Sequence, residues 1–327
     1  MPEEKLMEKA IAIMYQRGQK AAELARQEVL KEKVTYKPLQ DALKYFIDDW
    51  KDFLHPALIS LACEAVGGDP QITEQIGSAI VLLAGGADIH DDIIDQSLVK
   101  EPKQTVFGKF GKDIAILAGD TLLLKGMYLL TKACDQLTKI KRREILEIIK
   151  DAFLESSSAE ALEASLRGNT EIGIEDFLAM IKEKVATSEA VTRIGSVIGN
   201  GTKKETALLG HYGRVFGVLM TLRDEFVDIF EIDELMNRAQ KEILPLPILL
   251  AFDNKEIKIE ILQLIQKPIT ENEVDRILDL TMNSEKTHDL VKFMKQLVEA
   301  ENSKLRMFVK NEAELKLLLQ ATLEDLV

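Results

Sequence analysis

Two runs of acidic residues lie inside otherwise apolar sequence. The first is Asp88-Ile89-His90-Asp91-Asp92-Ile93-Ile94-Asp95, which follows the apolar stretch Ala79-Ile80-Val81-Leu82-Leu83-Ala84. On an α-helix, Asp91 and Asp95 share a face, and Asp88 and Asp92 share the neighbouring stripe. Like charges at that spacing cost roughly a few tenths of a kcal/mol per pair when exposed and more when buried. A carboxylate cluster on an apolar helix therefore asks for a cation, and hard oxygen ligands select Mg²⁺ or a similar ion. The second run, Asp224-Glu225-Phe226-Val227-Asp228, again ends an apolar stretch and again holds two aspartates four apart. Mg²⁺ keeps water and is usually completed by substrate phosphates, so two aspartate pairs facing each other predict a diphosphate ligand. The plainer alternative is a pair of exposed acidic helix ends.

Long helices must carry these runs, and helical periodicity dominates the chain. Residues 3–31 place Leu6, Ala10, Ile13, Met14, Ala21 and Leu24 on one stripe. Residues 36–38 read as a break, residues 54–66 as a short apolar segment closed by Gly67-Gly68, and Asp69-Pro70 as the start of a helix over about 71–95. Residues 96–112 form an interruption with Pro102, Gly108 and Gly111, and helical patterns follow at about 113–135, 139–167, 174–199 and 203–231. Pro245 and Pro247 open a shorter helix, and about four helices complete the chain. No alternation is long enough for a sheet, no linker divides the chain, and no repeat of fixed period is present. The expectation is a single all-α domain over residues 1–327, built as a helical bundle.

Composition narrows the function classes. An apolar fraction of 46% excludes disorder as the main state. A formal net charge of −13 disfavours nucleic acid as a partner, which needs a basic face. Cys63 and Cys134 are too few for a disulfide scaffold or a cysteine-rich metal module, and fit a reducing compartment. The first residues hold no long apolar run, so no signal peptide is expected, and the apolar stretches fall short of the roughly 20 residues a bilayer span needs. A cytoplasmic protein with no transmembrane segment is expected.

The chain resembles the trans-isoprenyl diphosphate synthases, the polyprenyl synthetase family. Asp91-Asp92-Ile93-Ile94-Asp95 resembles the first aspartate-rich motif, DDxxD, and Asp224-Glu225-Phe226-Val227-Asp228 resembles the second, with Glu225 in its second place. Residues 55–68 (HPALISLACEAVGG) resemble the segment after the family's GKxxRP motif, residues 107–123 the segment after the first motif, and residues 209–217 the lead into the second. The resemblance covers roughly residues 20–250 and implies an isoprenoid-synthase-like bundle around a deep central cavity. It further implies a prenyl diphosphate substrate and Mg²⁺, up to three ions brought partly by the substrate. Loss of diphosphate would give an allylic carbocation that isopentenyl diphosphate attacks. By resemblance Asp91, Asp92, Asp95, Asp224, Asp228 and Lys184 form the catalytic set. Asp91, Asp95 and Asp224 ligate the metal, and Lys100, Lys184 and Lys241 bind diphosphate. A homodimer is implied, with a heteromer as the other possibility.

Departures from the family concentrate on one half of the expected site. Lys184-Val185 stands at the family's KT motif, Met220-Thr221 at its FQ pair, and Ala159-Glu160 near its GQ motif. Lys100 replaces an arginine, keeping charge but losing the bidentate fork. Where the family holds isopentenyl diphosphate with cationic side chains, this chain has Asp52, His55, Ala84 and Glu101. Each charge reversal costs about 4 kcal/mol at about 4 Å and an effective dielectric near 20. Asp88 adds a carboxylate one turn before Asp92, as a metal's outer neighbour, a base for water or a partner for a lysine. Gly86 and Ala87, beside Gly85, imply either a cavity deep enough for a C20 or longer chain or a close helix contact. The expectation is an enzyme that binds and ionises an allylic prenyl diphosphate without ordinary isopentenyl addition, with a terpene-synthase-like or hydrolytic outcome. The alternatives are a chain-elongating prenyltransferase with an unusual acceptor site, and a non-catalytic partner subunit or lipid-diphosphate binder.

Overall fold

The computed structural model describes residues 5–100, 102–267, 269–308, 310–324 and 326. Sixteen α-helices account for most of these residues. The N-terminal half comprises α1 (Leu6–Leu30), α2 (Lys37–Asp49), α3 (Leu54–Ala65), α4 (Glu74–Ile94), α5 (Val106–Phe110) and α6 (Lys112–Cys134). The middle comprises α7 (Lys139–Ser165), α8 (Ile174–Lys184), α9 (Ala186–Ile198) and α10 (Lys203–Phe230). The chain then runs through α11 (Ile232–Lys241), α12 (Leu246–Ala251), α13 (Lys255–Leu264), α14 (Glu271–Met282), α15 (Glu285–Leu305) and α16 (Glu312–Ala321). The only sheet among the described residues is a hairpin of β1 (Val99–Lys100) and β2 (Lys103–Gln104), with Lys100 opposite Lys103.

Side-chain caps fix the helix starts that matter for the site. The Asp69 carboxylate accepts from the Gln71 amide at 3.0 Å, starting the 3₁₀ turn that leads into α4. Thr202 and Glu205 form a capping box at the head of α10. The apolar faces of α3, α4, α6, α9 and α10 fill the main core. A smaller apolar cluster, including Ile229, Leu235, Leu244, Ile248 and Ile277, joins α10 to α11, α12 and α14. Small residues let the central helices approach closely. A Cβ on Gly195 of α9 would lie 2.3 Å from the Ile59 carbonyl oxygen of α3, and one on Gly86 of α4 would lie 2.8 Å from Leu123 Cγ of α6.

The structure departs from the sequence expectation in three places. The region around residues 36–38 is a helix start, not only a break: Pro38 sits in the first turn of α2, where a missing N–H costs nothing. Ala42, Leu43, Phe46 and Ile47 then bury one face of that helix. The single helix expected over 174–199 is two, parted at Val185, so that Lys184 ends α8. By length and composition, the helices over 70–94 and 112–134 are long and apolar enough to cross a membrane, with mean hydropathies of 1.2 and 1.5. In the fold they pack against one another, and 61% and 39% of their apolar windows are buried.

Replacing Gly195 by alanine overfills the contact between α3 and α9 at a backbone oxygen, which cannot rotate away. Gly195→Ala is expected to lower unfolding stability by about 1–3 kcal/mol in a urea titration. No loss would mean that α9 and α3 stand further apart.

Candidate active site

The two acidic runs meet. Asp91 and Asp95 at the end of α4 and Asp224, Glu225 and Asp228 at the end of α10 line one cavity of about 280 Å³. Glu163 of α7, Lys184 of α8, Glu234 and Arg238 of α11, Glu242 just after α11, and Lys100 of β1 add to its polar wall, and Phe177, Met180 and Ile181 of α8 give it an apolar side. Eight carboxylates face three cationic side chains across this lining.

Asp92 points elsewhere. Its side chain is 4% exposed, and Lys100 Nζ lies 2.8 Å from it and 3.1 Å from Asp88 Oδ1. Of the three readings open for Asp88, the structure shows the lysine partner. Burial pushes the Asp92 carboxyl up to about 6, against the pull of Lys100. Burial also works against the Lys100 charge, but the two carboxylates outweigh it and raise its pKa. Asp95 accepts from Arg167 Nη2 at 3.1 Å, and the same guanidinium reaches the Ile94 carbonyl at the end of α4. Burial first, and then the charge on Asp91, raise the Asp95 pKa.

The break at Val185 gives Lys184 its position. Its ammonium lies 3.2 Å from Glu160 and also pairs with Glu163, both on α7. Burial opposes the Lys184 charge, yet Glu163, Glu160 and Asp91 outweigh it and raise its pKa. Burial pushes Glu160 up to about 7, opposed by Lys184 and helped by the charges of Asp91 and Glu163. Lys241 is placed differently from Lys100 and Lys184: its Nζ donates to the Gln96 carbonyl at 3.1 Å, tying the end of α11 to the loop after α4. It is not part of the cavity lining.

Glu225 is buried and makes a structural clamp. Arg238 Nη1 and Nη2 donate to its carboxylate at 3.1 Å, and the Leu246 amide donates at 2.7 Å. Arg238 also holds Asp228 Oδ2 at 2.6 Å and donates from Nε to the Ile243 carbonyl at 2.9 Å. Asp224 remains open to the cavity, and burial together with the Asp228 charge pushes it up to about 7.

The residues at the expected acceptor half form a closed pair. His55 Nδ1 lies 2.8 Å from Asp52 Oδ2, and the Asp52 carboxylate also accepts from the His55 amide at 3.1 Å, capping the first turn of α3. Burial lowers the His55 pKa, but Asp52 outweighs it and leaves it raised. Ala84 is half-buried on α4, and Glu101 lies outside the described residues. Next to Ala84 on α4, Gly85 packs against the stacked rings of Phe46 and Trp50, whose centroids are 5.1 Å apart. Of the two chain-length positions, Gly86 makes the close helix contact with α6, while Ala87 is exposed on the stripe of Asp91.

The donor set fits Mg²⁺. Asp91 Oδ1 is buried with no hydrogen-bond partner, and the surplus of carboxylates asks for positive charge. Among the described residues, no three His, Cys, Asp or Glu side chains converge closely enough to cage an ion alone. Sequence reasoning missed Glu163, Arg167, Glu234, Arg238 and Glu242. The available signals were Glu225, a glutamate in an aspartate's place, and an arginine ten residues after Asp228.

The Polyprenyl synthetase family pattern matches residues 36–281. The chain is 29% identical over 206 residues to the short chain isoprenyl diphosphate synthase of Methanothermobacter thermautotrophicus, covering 63% of this chain and 62% of that protein. It is 26% identical over 203 residues to the geranylgeranyl diphosphate synthase of Methanosarcina mazei, covering 62% of each. The matched segment thus spans under two thirds of either relative. The crystal structure of geranylgeranyl pyrophosphate synthetase from Pyrococcus horikoshii superposes with a TM-score of 0.83, covering 97% of this chain and 98% of that one at 24% identity, which establishes a shared fold.

The carboxyl shifts set a pH dependence. Asp92 and Glu160 bind protons more tightly folded than unfolded, so between about pH 4 and pH 7 the native state holds more protons and stability falls as pH rises. The metal-free protein is therefore expected to lose urea resistance from pH 5 to pH 8, and Glu160→Gln to flatten part of that loss. A midpoint that rises with pH in the parent would contradict this electrostatic picture.

Proposed function

Because the chain belongs to the polyprenyl synthetase family, we propose that it is a Mg²⁺-dependent prenyltransferase that binds an allylic prenyl diphosphate between α4 and α10 and extends it with isopentenyl diphosphate. The observation that carries this reading is the convergence of Asp91, Asp95, Asp224 and Asp228 on one cavity with Lys100 and Lys184. The names of the two relatives, both synthases of isoprenyl diphosphates, support elongation over the non-elongating outcome expected from the sequence.

The roles follow from placement. Asp91, Asp95 and Asp224 would hold Mg²⁺, which when bound neutralises the diphosphate and makes it a better leaving group. Lys184 and Lys100 present charge to the same cavity, and would exchange their carboxylate partners for diphosphate oxygens. Phe177, Met180 and Ile181 shield the apolar side of the cavity from water. The α6 stripe of Leu117, Leu124 and Tyr128, exposed by 50%, 75% and 58%, is the face we assign to a second copy of the chain.

One observation favours the second reading, ionisation without elongation. The Asp52–His55 pair is closed on itself, and an acceptor diphosphate would meet a carboxylate there. Incubation with Mg²⁺ and C10, C15 and C20 allylic diphosphates, with and without isopentenyl diphosphate, separates the two. Elongation predicts longer diphosphates and diphosphate release only when isopentenyl diphosphate is present. Release at equal rates without it would move the assignment to the second reading, and no turnover in either arm would overturn both. Asp91→Asn is expected to lower whichever turnover is seen by about 100-fold.

A further inference from the structure

Elongation joins two diphosphate esters, so it needs a second anion site beside the carboxylate cavity. The positions where the family pattern places that site do not supply it. Asp52 and His55 are closed on each other, Ala84 has no polar side chain, and Glu101 has the wrong charge. Cations gather instead on neighbouring elements. The ammonium of Lys109 on α5 lies 3.7 Å from the centroid of the Tyr45 ring, and that of Lys103 on β2 lies 4.6 Å from the same ring. Tyr45, on α2, is itself held in place. Its hydroxyl donates to the Gln104 carbonyl of β2 at 2.7 Å, and its ring meets Phe110 of α5 at 5.6 Å in an edge contact. The ring attracts each ammonium, but two cations brought this close repel one another unless an anion joins them. Lys103 has one such partner, Asp49 at the end of α2. Lys109 meets no carboxylate among the described residues, and its contacts are the Tyr45 and Phe110 rings.

The cluster borders the cavity. Lys103 stands opposite Lys100 in the hairpin, and Lys100 lines the cavity. Residues opposite each other in an antiparallel pair project to one face. On the other side, Trp50 Nε1 donates to the Val81 carbonyl at 3.1 Å, which ties the end of α2 to the stretch of α4 that carries Ala84. We propose that Lys103 and Lys109, set over Tyr45, form a second, metal-independent anion site that takes the diphosphate of isopentenyl diphosphate. The proposal deepens the elongating reading and rests on it. Neither lysine stands at a position that the family resemblance assigns to the acceptor. An ammonium binds phosphate as a point charge, so two flexible lysines suffice without the geometry of a guanidinium fork. Lys109 faces no competing carboxylate, whereas the diphosphate displaces Asp49 from Lys103. Exposure of both ammoniums keeps the affinity modest, on the order of 0.1 mM. The two substrates are then sorted by metal: the allylic diphosphate enters the carboxylate cavity with Mg²⁺, and the acceptor binds without it.

Calorimetric titration of isopentenyl diphosphate into the metal-free full chain tests the site, alongside steady-state kinetics with Mg²⁺ and a C15 allylic diphosphate. Lys103→Gln and Lys109→Gln should each weaken binding by about 10-fold, and the double variant by about 100-fold. Asp49→Asn, which releases Lys103, should tighten it, and Lys109→Arg should keep most of the parent's affinity. In turnover, Lys109→Gln should raise KM for isopentenyl diphosphate by about 10-fold and leave KM for the allylic diphosphate unchanged. Binding unchanged in the double variant would overturn the assignment, as would no binding to the parent. Elongation by the parent with an unaltered KM for isopentenyl diphosphate in the lysine variants would overturn this assignment and leave the proposed function standing. Lysine-dependent binding in a parent that makes no longer product would keep the anion site and remove the elongating reading instead.

Discussion

Carboxylates on two apolar helices converge on one cavity, and the cationic side chains that line it among the described residues are fewer than the acidic ones. Eight acidic side chains line it against three cationic ones. At an effective dielectric near 20, each like-charged pair at about 4 Å costs about 4 kcal/mol, so the arrangement persists only because packing holds α4 and α10 in place. That packing is tight where α4 meets α6 at Gly86 and where α3 meets α9 at Gly195, with no room for even a methyl group. The electrostatic strain concentrated in this way is relieved by cations. Lys100, Lys184 and Arg238 supply part of the relief from within, and a metal-bound anion would supply the rest.

The internal cations are not idle. Lys100 is held by Asp88 and Asp92, Lys184 by Glu160 and Glu163, and Arg238 by Glu225 and Asp228. A diphosphate entering the cavity therefore competes with carboxylates for both lysines, and the metal must offset that competition. Asp88 and Glu160, both departures from the family pattern, do the same thing at two places: each gives a lysine of the site an internal partner. Asp52 does likewise for His55 on α3. The departures thus share one physical effect, the neutralisation of a cation that would otherwise face an anionic ligand.

Much of this was legible in the sequence where the signal is local. The four-residue spacing of Asp91 and Asp95, and of Asp224 and Asp228, set both pairs on helix faces, and the surrounding apolar residues marked those helices as core. The long helices, the all-α fold and the family followed from the same runs. What was not legible depends on tertiary contact. Residues 36–38 read as a break because proline disfavours a helix interior, but Pro38 lies in the first turn of α2, well after α1 has ended at Leu30. Val185 has no breaker chemistry, and only packing explains why the helix parts there and delivers Lys184 to α7. Arg238 and Glu163 carry no local pattern that links them to α10 or α8. For Gly86 the sequence left cavity depth and helix packing equally open, and its close approach to Leu123 of α6 is visible only in the fold.

The account's central claim is that the carboxylate-lined cavity accepts an anion only together with a divalent cation. Thermal unfolding of the metal-free protein measures this directly, with Mg²⁺ alone, inorganic pyrophosphate alone, and both together, because a ligand that binds only the native state raises the midpoint by mass action. The account predicts little change with pyrophosphate alone, a small rise with Mg²⁺ alone, and a rise with both that exceeds the sum of the two. It further predicts that Asp91→Asn abolishes the excess. A midpoint raised as much by pyrophosphate alone as by pyrophosphate with Mg²⁺ would contradict it, because the cavity would then bind the anion through its lysines without needing the metal.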